Sequence, residues 1–143
     1  MDEKEHSLEM HLPYIRKIFG ERGIDLVPIM VGNLSDEQER EYGIKLSRYL
    51  ADKETLFIVS SDFCHWGANF DYYPYEKQHG EIWQSVEAMD RQGMSLIEAN
   101  DIEGFSSYLK KTQNTICGRH PIGVFMNAAA EVGGFQTRFT HYD

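Results

Sequence analysis

Thr55-Leu56-Phe57-Ile58-Val59 is an unbroken apolar run, and Ser60-Ser61-Asp62-Phe63-Cys64-His65-Trp66-Gly67 follows it without a spacer. A short β-branched run with no polar alternation reads as a strand buried on both faces, the pattern of a central parallel strand. In open α/β sheets, ligands bind beyond the carboxyl ends of such strands. The junction at Ser60 therefore constrains both fold and chemistry. It predicts a layered α/β domain with reactive side chains immediately after residue 59.

The rest of the chain supplies the other elements. Leu8, Leu12, Ile15 and Phe19 recur at helical spacing, with Ser7 as a candidate cap. Pro13 either kinks that helix or marks its first turn. Residues 26–31 read as a strand carrying Pro28, which fits an edge or a bulge. Ser35 and Gln38 fit a capping box, opening a helix with Tyr42, Leu46, Tyr49 and Leu50 on one face and a Glu41–Lys45 pair on the other. Strand, helix and strand over this span predict a right-handed βαβ unit. Further helices are marked by Ile82, Val86 and Met89 with Trp83 beside them, by Ile102, Phe105 and Leu109, and by a stretch from Pro121 to Gly133. Residues 135–142 alternate weakly, as a short strand would. Two or three strands against about five helices is a thin sheet, so the pattern reads as part of a domain.

Composition narrows the function. The chain has 143 residues, 26% of them charged and 41% hydrophobic, which suits a single globular unit. A formal net charge of −9 argues against nucleic-acid backbones and anionic membrane surfaces as partners. No apolar run is long enough to span a bilayer. Two cysteines, Cys64 and Cys117, are too few for a disulfide scaffold and fit reduced thiols in a cytoplasmic protein.

Three segments could carry chemistry. In the first, His65 could act as a general acid/base, Asp62 could orient it, and both could join Cys64 as metal ligands. In the second, Asn114-Thr115-Ile116-Cys117-Gly118-Arg119-His120-Pro121, Cys117 precedes a helix amino terminus whose dipole, with Arg119 and His120, would favour the thiolate. Gly118 would allow a sharp turn or a close approach. In the third, Glu5-His6-Ser7-Leu8-Glu9-Met10-His11, the histidine spacing is poor for one helix face, and a polar helix start is the simpler reading. Trp66, Phe70, Tyr72, Tyr73 and Tyr75 could wall a pocket or simply pin a loop to the core.

These segments together, Glu5 to Tyr14, Val59 to Gly67 and Asn114 to Gly123, closely resemble in order and interval the Memo family, named for mediation of ErbB2-driven cell motility. The resemblance runs from about Glu5 to Tyr142. It implies a mixed sheet sandwiched between helices, like that of the extradiol non-haem-iron dioxygenases, of which residues 1–143 would form a single partial domain, its carboxyl-terminal portion. It also implies a cytoplasmic protein, with the nucleus as a second compartment, linked to receptor signalling and cell motility, with iron or copper in a redox-active pocket. In that pattern Cys117 falls on a metal-binding cysteine, and His65 falls on a histidine like the acid/base histidine of the dioxygenases, with Asp62 beside it. Cys64, Trp66, Arg119 and His120 would line the pocket. The two histidines that complete the family's metal site have no counterpart in this chain, so the chain alone is not expected to hold metal tightly. Three functions stay open. One is a signalling protein whose pocket receives a peptide or a phosphopeptide; another is a metal-dependent oxidoreductase; the last in rank is a cysteine nucleophile paired with His65.

Overall fold

The computed structural model describes residues 6–142, which divide into two compact units between Asn33 and Leu34. In the first unit a single 3-10 turn, Glu9–His11, leads into α1, Leu12–Phe19. Pro13 lies in the first turn of α1, where its missing N–H costs nothing. The helix stops at Gly20, whose φ of 62° suits glycine, and Arg16 holds the end by pairing with the Gly20 carbonyl and with Glu21. His6 and Glu9 are exposed on this polar start, and Glu5 lies outside the described residues.

The second unit is built from α2, Asp36–Leu50; α3, Ile82–Glu98; α4, Ile102–Thr112; and α5, Arg119–Val132. The capping box at Ser35 forms as the sequence predicts: the Gln38 N–H donates to Ser35 Oγ at 3.2 Å and the Ser35 N–H to Gln38 Oε1 at 2.9 Å. Asp101 caps α4 through the Gly104 N–H. The predicted Glu41–Lys45 pair is present on the exposed side. Helix α5 begins two residues before Pro121 and ends at Gly133, φ 74°.

The expected mixed sheet is absent: among the described residues there is no strand, only an isolated bridge between Gly67 and Tyr72. Residues 26–31, 55–59 and 135–142 have no helix or ladder, so the βαβ crossover falls with them. The physical reason is that an apolar run specifies burial, not pairing. A strand exists only when a neighbour accepts its backbone groups. Phe57 packs against Phe125 of α5, while Leu56 and Ile58 remain exposed. Residues 135–142 are held by side chains instead: Phe139 sits edge-on to Phe63, and its N–H donates to Glu98 Oε1 at 2.8 Å.

The core gathers Ile97, Phe105, Tyr108, Ile116 and Met126. Each such side chain contributes about 1.5–3 kcal/mol on burial. Helices α2 and α5 make the tightest packing. The inward face of α2 is Glu39, Gly43, Leu46, Ser47 and Leu50, whereas Tyr42 and Tyr49 of the predicted stripe face out. A Cβ on Gly43 would lie 2.5 Å from Asn127 Cβ and 2.9 Å from the Val124 carbonyl oxygen. No helix of the described residues is long and apolar enough to cross a membrane.

Two predictions follow from this packing. Alanine is favoured over glycine in a helix by about 1 kcal/mol, but at Gly43 it meets backbone that cannot retreat. Gly43→Ala should lower the urea midpoint, with a net loss of about 1–2 kcal/mol after the overlap cost; a raised midpoint would refute the close approach. On the surface, Lys110 of α4 reaches Asp36 of α2 at 2.6 Å, and Ser106 donates to the same oxygen at 2.8 Å. The Lys110 and Ser106 hydrogen bonds hold the Asp36 carboxyl below its ordinary range. A carboxyl depressed in the folded state stabilises above its unfolded value, and that stabilisation fades as pH falls through the folded value. Lys110→Met should therefore cost under about 1 kcal/mol near neutrality, since both groups are largely exposed. The difference should vanish in acid denaturation series below the carboxylate range.

Candidate functional site

Two loop segments, 60–65 and 114–118, face one another and carry the reactive side chains. The contact begins at Gly118, where a Cβ would lie 2.4 Å from Ser61 Cβ and 2.5 Å from the Ser60 carbonyl oxygen. Only a residue without a side chain allows this approach. The Gly118 N–H then donates to Ser61 Oγ at 3.0 Å, and the Cys117 N–H to the Asp62 carbonyl at 3.2 Å. In return, the Asp62 N–H donates to Cys117 Sγ at 3.0 Å. Further along, the His65 N–H donates to Thr115 Oγ1 at 2.6 Å, and that hydroxyl donates to the His65 carbonyl at 3.1 Å.

The His65 ring is fixed in the same way. Its Nδ1 lies 2.9 Å from the Thr115 carbonyl oxygen, an acceptor only, so Nδ1 carries the hydrogen. In the neutral ring Nε2 is left with its lone pair, 3.6 Å from Asp62 Oδ2. Phe70 stacks on the imidazole at 4.7 Å between centroids. Asp62 therefore touches both partners, the sulfur through its N–H and the imidazole through its carboxylate. Cys117 and the Asp62 side chain are exposed, while His65 is three-quarters covered.

The remaining predicted residues sit elsewhere. Cys64 turns inward, and burial, with the charge of Asp90 behind it, pushes its thiol up to about 11. Trp66 donates from Nε1 to the Pro74 carbonyl at 3.1 Å and meets Tyr73 edge-on, while Tyr72 donates to the Thr112 carbonyl at 2.8 Å. These aromatics pin the 66–75 loop. Arg119 and His120 line a cavity of about 300 Å³ with Asp36, Glu39 and Lys110, and none of Asp62, His65 or Cys117 lines it. There His120 Nδ1 pairs with Glu39 at 2.7 Å, and a Cβ on Gly123 would collide with that carboxylate. Burial raises the Glu39 carboxyl against the opposing pull of His120.

Sequence reasoning missed Asp90, and it placed Asn114 and Thr115 in the second segment without a role. Asp90 is 2% exposed, and it accepts from Asn114 Nδ2 at 2.8 Å, Tyr142 OH at 3.0 Å and the Cys64 N–H at 3.4 Å. Burial raises its carboxyl above the ordinary range. The signal was available: Asp90 lies four residues after Val86 and before Met94, a carboxylate on an apolar helical face.

The class so defined is a helical protein unit that presents a cysteine, an aspartate and a histidine on two clamped loops. The chain belongs to the Memo-like protein family, whose profile matches residues 1–143. It is 56% identical over 133 residues to Protein MEMO1 of Xenopus laevis and 53% identical over the same length to Protein MEMO1 of Homo sapiens, 92% of this chain in each case. It is also 44% identical to the memo-1 homolog of Caenorhabditis elegans, over 99% of this chain. The chain spans under half the length of these relatives, 45% of the two vertebrate proteins and 42% of the nematode one.

The two cysteines should differ in reach. Iodoacetamide at about pH 8 should label exposed Cys117 at least tenfold faster than Cys64, which is half-buried and held as the thiol. Mass spectrometry of timed samples reads the order directly, and equal rates would mean that Cys64 is not packed inward.

Proposed function

We propose that this chain contributes Cys117, His65 and Asp62 to the metal-dependent, redox-active pocket of a cytoplasmic signalling and cell-motility protein of the Memo type. The observation that supports it is Asp62, which touches both the Cys117 sulfur and the His65 imidazole. The kinds of donor suit iron or copper: a sulfur, an imidazole whose Nδ1–H is oriented by a carbonyl, and a carboxylate. Their placement does not suffice. Among the described residues no group of three or more such side chains could hold an ion. Donors from outside this segment would have to complete the site.

What the chain's own groups do is clearer. With Nδ1–H committed to the Thr115 carbonyl, Nε2 of His65 accepts a proton from a bound reactant, and Asp62 3.6 Å away stabilises the imidazolium that results. Phe70 keeps water off one ring face. A bound metal would supply Lewis acidity or electron transfer to the same pocket.

Metal content decides the reading. In the full-length protein, iron and copper measured by elemental mass spectrometry should fall at least tenfold in Cys117→Ser, with helical content retained. Unchanged metal in a folded Cys117→Ser variant overturns it. A peptide partner is a second reading, favoured by the cavity at Arg119, whose guanidinium could pair with an anionic group.

A further inference from the structure

The geometry points to Asp90 as the positioning residue of the site: one buried carboxylate on α3 sets the separation of both loop segments and thereby the ring orientation of His65. The inference rests on the reading of Asp62, His65 and Cys117 as the functional cluster. It concerns a residue that touches none of the three side chains.

Asp90 holds each segment by a separate bond. It takes the Cys64 N–H at 3.4 Å, one residue before His65. It takes Asn114 Nδ2 at 2.8 Å, one residue before Thr115. The assignment of that amide is forced, because an ionised carboxylate can only accept. Asn114 is 3% exposed, and its Nδ2 also reaches Tyr108 OH at 2.7 Å, while Tyr108 donates to the Met89 carbonyl at 3.0 Å. Tyr142 closes the set with its hydroxyl on Asp90 Oδ2. Asn114 is thereby held from two points on α3 and α4, and Thr115 has little freedom to move away from His65. Thr115 makes three bonds to His65, one through its carbonyl and two through its hydroxyl. The chain of constraint runs Asp90, Asn114, Thr115, His65 Nδ1.

A carboxylate buried to this degree is expensive, and a folding core needs none here. Val86, Met94 and Ile97 on the same helical stripe show that apolar side chains fill such positions on α3. The carboxylate does what an apolar side chain cannot: it accepts from two polypeptide segments at once and fixes their register. The ionisable groups facing it are Cys64, Tyr72, Tyr108, Tyr142, His65 and, through Tyr142, Glu87.

The test is Asp90→Asn, which preserves shape and can still accept from Asn114 but presents an NH₂ where Oδ2 took both the Cys64 N–H and the Tyr142 hydroxyl. In the full-length protein with labelled histidine, ¹⁵N spectra above the imidazole range should show wild-type His65 with hydrogen on Nδ1 and a bare Nε2. In Asp90→Asn the two nitrogens should move toward one averaged shift, and exchange of the His65 amide should speed at least about tenfold, while circular dichroism stays that of the folded protein. A single Nδ1–H tautomer and unchanged exchange in a folded variant overturn the inference. Should Asp90→Asn not fold, Asn114→Ser cuts the other arm, the bond from Asn114 to Asp90, and the same two readouts decide. Neither readout needs metal, so a shifted tautomer supports the positioning role even where Cys117→Ser leaves metal content unchanged and the reading of the site fails.

Discussion

The buried carboxylate of Asp90 is the interaction on which the two loop segments of the second unit depend. Removing an ionised carboxylate from water costs several kcal/mol even after relaxation. Hydrogen bonds to a charged acceptor return about 1.5–3 kcal/mol each, and Asp90 has three donors of which two lie at 3.0 Å or less. The balance is close, so the site is held only while all the donors stay in place. That dependence ties α3, the 60–65 segment, the 114–118 segment and the carboxyl-terminal Tyr142 into one set. It explains why residues 135–142, with no ladder to belong to, still follow a defined path.

A second constraint acts from the opposite side of α5. Gly43 lets α2 approach the backbone of Val124 and Ala128, and Gly123 leaves room for the Glu39 carboxylate beside His120. The amino-terminal turn of α5 is therefore fixed by α2, while Gly118, one residue before it, is fixed by Ser60 and Ser61. Cys117 lies directly ahead of these two anchors. Its place in space is a result of two glycines rather than of its own packing, which is consistent with an exposed side chain on a rigid backbone.

Much of this was legible in the sequence and some of it was misleading. Capping at Ser35 and the helix stop at Gly133 follow from local chemistry, and local chemistry suffices for them, whereas Pro13 allowed a kink as well as the first-turn place that it takes. The link between Ser60–His65 and Asn114–His120 was visible as two reactive segments, though nothing in a linear pattern places Asp62 against Cys117. The apolar run at 55–59 predicted a strand because periodicity reports which side chains avoid water, and it is silent about whether a neighbouring backbone exists to pair with. On α2 the stripe of large residues pointed the wrong way. Tyr42 and Tyr49 are hydrophobic by composition, but the tight contact belongs to Gly43, where smallness rather than hydrophobicity decides. Asp90 was missed for a related reason: a single carboxylate within an apolar stripe was read past, when its position was the strongest hint of a buried polar network.

The arrangement at His65 carries one more consequence for what the site can bind. Because Nδ1–H is committed to a carbonyl, the neutral ring turns a lone pair toward the Asp62 carboxylate at 3.6 Å. Two electron-rich groups that face each other at this distance are not a hydrogen bond and do not attract. Both are satisfied by positive charge placed against them, whether a proton taken up by Nε2 or a cation near the carboxylate. The same Asp62 residue presents its N–H to sulfur, an arrangement that serves electron-rich sulfur as well as a thiol. The pair of side chains is thus electrostatically matched to positive charge, and a neutral group gains nothing from lying between them.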